Sequence, residues 1–189
     1  PGALMIDGPH PFGNAAGARD GELAYPTGAH YLPLPGREAV HVRELLADIG
    51  IITRDAMGER PHYDEASLLH GPHERLLYQG AWHEGIVPAE GVGPDELREH
   101  QRFFGAVDRL RGQVGSDGRR MFAVPSALSS SDSAFAPLDR LTFRAWLDRN
   151  GYRSPTLLWY LDYCCRDDYG AGSDKVSAWA GLHYFCSRA

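Results

Sequence analysis

Two stretches of the chain carry side chains able to do chemistry. In Cys164-Cys165-Arg166-Asp167-Asp168-Tyr169-Gly170, two carboxylates fall near the end of a helical pattern. Carboxylates there oppose the helix macrodipole, typically by about 0.3–1 kcal/mol each, so something must offset them. Pairing with Arg166 or another arginine would do so. The alternative is a place in a pocket wall, where two neighbouring acids are also the material of an acid–base pair. The second stretch holds Trp179, His183, Tyr184 and Phe185. At helical spacing most such aromatic residues form core. Trp179, His183 and Tyr184 are those that could line a cavity instead. Asp168, Tyr169, Trp179 and His183 are therefore the substrate-pocket candidates, and no catalytic residue is assigned among them.

Nine histidines raise the question of a metal. A metal-dependent hydrolase would draw on His70, His73 and His83. However, His70 and His73 flank a predicted turn and no third ligand has a defined spacing, so solvated loop histidines are the better reading and no metal is expected. The three cysteines, Cys164, Cys165 and Cys186, form no C-x-x-C and fit neither a zinc site nor a disulfide framework. Neither the glycine-rich dinucleotide fingerprint nor a P-loop, an H-E-x-x-H or a G-x-S-x-G is present.

The elements that must position these residues follow from periodicity and punctuation. Residues 1–36 are rich in glycine and proline and read as extended backbone laid against something else. A helix is predicted from about Arg37 to Ile49, with Val42, Leu45, Leu46 and Ile49 on one face and Gly50 closing it. Ile51-Ile52-Thr53 reads as a strand. Leu68-Leu69 and Arg75–Tyr78 read as a hairpin around Gly71-Pro72-His73-Glu74, which Trp82–Val87 extends. Gly93-Pro94-Asp95-Glu96 opens a long helix ending near Gly115. After a serine-rich loop at 126–132, Thr142 and Ser154-Pro155 open two helices, the second running toward Gly170, and Ser173-Asp174 opens a last one from Val176 to about Arg188. The order predicts an α+β fold: a small antiparallel or mixed sheet, several helices and a helical C-terminal half.

The 189 residues suit one domain or little more. A net charge of −6 argues against general nucleic-acid binding and against an anionic membrane surface, and no apolar run is long enough to span a bilayer. The chain opens on Pro1 without an initiator methionine and stops on Ala189 directly after an apolar, helix-like stretch. Those ends predict an internal segment of a longer protein whose targeting signal, if any, lies upstream, which leaves its location, cytoplasmic or periplasmic, open.

Taken in order, the pieces resemble the central segment of the flavin-containing amine oxidases and their bacterial relatives. Gly13-Asn14 and Tyr25-Pro26-Thr27-Gly28-Ala29-His30-Tyr31-Leu32-Pro33 resemble that family's flavin-lining stretch. Glu44-Leu45-Leu46-Ala47-Asp48-Ile49-Gly50 resembles its helix end, and Glu74-Arg75-Leu76-Leu77-Tyr78 its hairpin. Leu141–Leu147 and Val176–Leu182 resemble its helical substrate-domain pieces. The resemblance implies an extended flavin-lining segment at 1–36 and a substrate domain at 37–189. It implies FAD as cofactor, with Tyr25, Pro26, Gly28, Ala29 and His30 beside it. It further implies a small-molecule substrate oxidised by hydride transfer, and an FAD-binding domain of the same polypeptide as partner. The departures are that the dinucleotide fingerprint, the C-terminal FAD segment and the later aromatic cage are absent, so this chain alone is expected neither to bind FAD tightly nor to be active. The competing expectation is a stand-alone α+β ligand- or protein-binding module without catalysis.

Overall fold

The computed structural model describes residues 4, 8–9, 16–27, 32–70, 74–88 and 90–187. The fold is α+β: six α-helices and three two-stranded antiparallel sheets among the described residues. The chain divides into two compact units, Pro1–Leu69 and His70–Ala189.

In the first unit, β1 (Gly17–Asp20) and β2 (Leu23–Pro26) pair from Gly17↔Pro26 to Asp20↔Leu23. Gly21 takes a φ of 60° in the two-residue loop between them, as tight hairpin turns require. The glycine-rich N-terminal stretch thus contains a hairpin. α1 (Val40–Asp48) follows, then β3 (Ile52–Arg54), which pairs with β4 (His62–Tyr63). Gly50, at φ 80°, closes α1 as its position predicts. The face that α1 buries differs from expectation. Val42, Leu45 and Ile49 are exposed, whereas Leu46 and Arg43 are buried. Arg43 explains the choice, because its guanidinium donates to the carbonyls of Pro35 (3.0 Å), Ala56 (3.2 Å) and Gly58 (2.8 Å). Turning that side chain outward would strand three loop carbonyls.

In the second unit, β5 (Arg75–Tyr78) pairs with β6 (Ala81–Glu84), not with Leu68-Leu69, which form no strand. The deciding feature is Gln79-Gly80, with φ values of 51° and 80°. Two successive left-handed residues make the turn whose twist matches its strands. Of the turn expected before β5, residues 71–73 lie outside the described residues.

The rest of the unit is helical: α2 (Pro94–Arg111), α3 (Ala136–Asp139), α4 (Phe143–Arg149), α5 (Pro155–Tyr169) and α6 (Ala178–Cys186). Local chemistry sets most of the ends. Pro94 stands in the first turn of α2 with Asp95 and Glu96 beside it. Thr142 Oγ1 accepts from Ala145 N, Ser154 Oγ from Leu157 N and Ser177 Oγ from Ala180 N. Gly170, at φ 64°, ends α5. Ser173 does not open α6, because its N–H and hydroxyl both donate to Asp162 Oδ1, at 2.7 and 2.8 Å.

The core of this unit gathers around Phe103 of α2. Its ring meets Phe185 (5.3 Å between centroids) and Tyr152 (5.7 Å) edge-on, and Phe143 (6.4 Å) at a tilt. Phe143, Leu147, Leu157, Leu161 and Leu182 complete it without exposed surface. All three thiols are free and buried, and burial pushes those of Cys165 and Cys186 up to about 12, so they serve as packing groups.

Candidate functional site

The candidate site is built on α6 and the loop that crosses it. Trp179 and His183 stand one turn apart, and their rings stack at 4.9 Å with 27° between planes. Phe122 leans on both, 5.7 Å from Trp179 and 6.2 Å from His183. His183 Nε2 lies 2.7 Å from the Ala123 carbonyl, which assigns the proton to Nε2. Ala123 N in turn donates to Ser129 Oγ at 2.9 Å. The Ala123 peptide is thereby held on both sides, and the imidazole is fixed flat against the indole.

Two carboxylates shape the loop that follows. Asp117 accepts from Ser130 Oγ (2.7 Å), Ser131 N (3.0 Å) and Arg119 N (3.1 Å). Asp132 accepts from Ser116 N (2.7 Å) and Ala134 N (2.9 Å). Backbone bonds, first from Ala134 and then from Ser116, hold the Asp132 carboxyl at about 2, so it stays ionised. Gly115 lies under this knot, where a Cβ would overlap Ser130 Oγ and approach Asp132 to 3.0 Å.

The result is an open concavity of about 370 Å³ between the loop, α3 and α6. Trp179 and Phe135 supply aromatic surface, Ser130 and Ser131 hydroxyls, and Asp132 and Asp139 negative charge. Such a lining takes a small organic molecule with an apolar or planar part and hydrogen-bond donors. His183 does not line it but backs the indole that does. Tyr169 reaches the same helix from α5, its hydroxyl donating to Ala180 O at 2.9 Å. Asp168 is exposed in the last turn of α5 and is not among the lining residues. Arg166 turns back to Asp162, Nε to Oδ2 at 2.7 Å, rather than to Asp167 or Asp168.

Sequence reasoning missed Phe122, Ser130, Ser131, Asp132, Phe135 and Asp139. The available signal was Asp132 itself. An aspartate closing a serine run and capping the next turn through Ala134 N marks a loop held by its own backbone.

The flavin-side candidates lie in the first unit. A shallow concavity of about 570 Å³ runs along the β1–β2 hairpin, lined by Ala16, Gly17, Ala18, Arg19, Ala24, Tyr25 and Pro26. Tyr25 is 48% exposed and Pro26 is exposed. Gly28, Ala29 and His30 lie outside the described residues.

Among the described residues no group of three His, Cys, Asp or Glu side chains could hold a metal ion. His83 has Nδ1 3.1 Å from Glu90 Oε2 and Nε2 3.2 Å from the Tyr78 carbonyl, and His73 lies outside the described residues. Among the same residues no helix is long and apolar enough to cross a membrane. Comparison with protein-family models, with curated proteins and with solved structures finds no match to this chain.

Proposed function

We propose that this chain is the substrate-side portion of an FAD-dependent oxidoreductase, similar to the flavin-containing amine oxidases, that oxidises a small organic molecule. The observation that carries the reading is the concavity walled by Trp179 and braced by His183, in a helical half whose sequence resembles that family's substrate-domain pieces. Flavin, when bound, supplies the hydride acceptor. The chain's own residues bind and orient: Trp179 offers a flat wall, and Asp132, Asp139, Ser130 and Ser131 offer acceptors for substrate N–H or O–H groups. His183 and Phe122 fix the indole. Tyr25 and Pro26 would face the flavin. The open hairpin surface encloses little, so tight FAD binding needs the partner domain.

A second reading, a binding module without catalysis, uses the same concavity. The full-length gene product that contains this chain discriminates between them. The expected result is a stoichiometric flavin absorption band, bleached anaerobically by substrate, with Trp179→Ala slowing the bleaching at unchanged flavin content. A product that carries no flavin, yet binds small molecules unaltered, would overturn the oxidoreductase reading and leave the module.

A further inference from the structure

The junction of α2 and α5 has a polar arrangement that ties the N-terminus of α5 to the side of α2. His100 is 5% exposed, one turn before Phe103. Its Nε2 lies 3.0 Å from Thr156 Oγ1, and that hydroxyl lies 2.8 Å from Glu96 Oε2. Ser154 Oγ also donates to Glu96 Oε2 at 2.8 Å. Glu99 Oε2 accepts from the N–H groups of Arg153 (2.6 Å) and Ser154 (3.0 Å). Two carboxylates of α2 thus receive the donors at the start of α5. Because Thr156 donates to Glu96, its oxygen accepts from His100, and the chain of bonds runs His100 to Thr156 to Glu96.

We propose that this junction is an acid-released clasp, with His100 as the trigger: a second proton on the buried imidazole loosens the start of α5 from α2. A neutral imidazole has one N–H, and Thr156 takes it. The groups facing His100 are Glu96 and Glu99 on its own helix and the neutral hydroxyls of Ser154 and Thr156 across the junction. The nearby cations are turned elsewhere, Arg102 to the carbonyls of Asn150 and Gly151 and Arg153 to Asp148. An imidazolium would therefore sit in a site largely stripped of water. Burial lowers the His100 pKa from its ordinary 6.5, outweighing the upward pull of Glu96 and then Glu99. The folded state accepts the proton less readily than the unfolded chain, so stability is present above 6.5 and is lost as pH falls from there toward the folded value. Glu96, lowered chiefly by the hydrogen bonds of Ser154 and Thr156, holds its part of the clasp until the pH falls below 4.5. Release therefore comes in two stages, and it does not depend on the oxidoreductase reading.

The test is amide hydrogen exchange at Arg153, Ser154, Thr156 and Leu157, together with urea unfolding, between about pH 7 and pH 5. In the wild type the equilibrium constant for opening should rise on acidification, by at most about tenfold per pH unit, the limit for one proton. His100→Gln keeps an N–H donor and does not titrate, and it should flatten this limb. Equal slopes in both proteins would overturn the proposal. If the variant does not fold, NMR titration of His100 in the wild type decides, and a pKa at or above 6.5 refutes the clasp.

Discussion

The same substitution at two helical glycines should have opposite signs. Gly105 lies in α2, where a Cβ would meet only Arg109 Nη1, at 3.7 Å. That is ordinary contact with a flexible side chain, so Gly105→Ala should recover its helix-propensity gain of about 0.8–1 kcal/mol. Gly181 lies in α6, where a Cβ would overlap Cγ and Cδ1 of Phe143 and stand 3.0 Å from its Cβ. Phe143 has no exposed surface, so its ring has nowhere to swing. Overpacking of this kind costs about 1–3 kcal/mol, and the obstructing atoms include the root of the side chain, which places it at the upper end. After the propensity gain, Gly181→Ala should destabilise by about 1–2 kcal/mol, which at about 2–4 °C per kcal/mol lowers Tm by roughly 2–8 °C. Trp82, Trp146, Trp159 and Trp179, the chain's four tryptophans, all fall in the second unit, so urea unfolding followed by tryptophan emission reports on that unit. Phe143→Leu should relieve part of the penalty in the double variant, giving a coupling of about 0.5–3 kcal/mol. A Gly181→Ala protein as stable as Gly105→Ala would refute the claim that α6 needs a bare backbone here. The consequence reaches the candidate site, because Gly181 lies between Trp179 and His183.

Arg102 donates to Asn150 O (3.0 Å) and Gly151 O (2.8 Å) and lies 4.2 Å over the Tyr152 ring. Arg102→Lys cannot span both carbonyls and should cost about 1 kcal/mol in the same urea assay. Gln79→Asn should stabilise the β5–β6 hairpin by about 0.5 kcal/mol, because asparagine tolerates the left-handed region better, and slower amide exchange in β5 and β6 would register it. The Asp132 carboxylate contributes stability that is complete above its ordinary 3.8 and is lost as pH falls toward about 2. Asp132→Asn should flatten that limb in acid titrations followed by tryptophan emission, and an unchanged acid limb would show that the loop knot does not depend on this charge.

What the sequence discloses and what it withholds divide along the range of the forces involved. Thr142, Ser154, Pro94 and Gly170 are legible because each acts on backbone within a turn of itself. The α1 stripe of Val42, Leu45 and Ile49 shows the limit of periodicity: it reports what could be buried, not against what. The buried face was settled by Arg43, whose three carbonyl partners lie up to 15 residues away. The hairpin partner of β5 turned on Gln79, a residue without turn preference that becomes decisive only beside Gly80.

The candidate site divides in the same way. Trp179 and His183 are visible at helical spacing, but the opposite wall is assembled by Asp117 and Asp132 across intervals of 13 to 16 residues. These two carboxylates are engaged by the loop's own N–H and hydroxyl groups, and they hold the loop against the indole. Asp139, exposed on α3 at the rim of the concavity, has no such structural task among its described contacts. Both acids line the concavity, but only Asp132 also holds the loop that forms it. Residue type alone cannot separate them, because the difference lies in whether a carboxylate faces backbone or solvent.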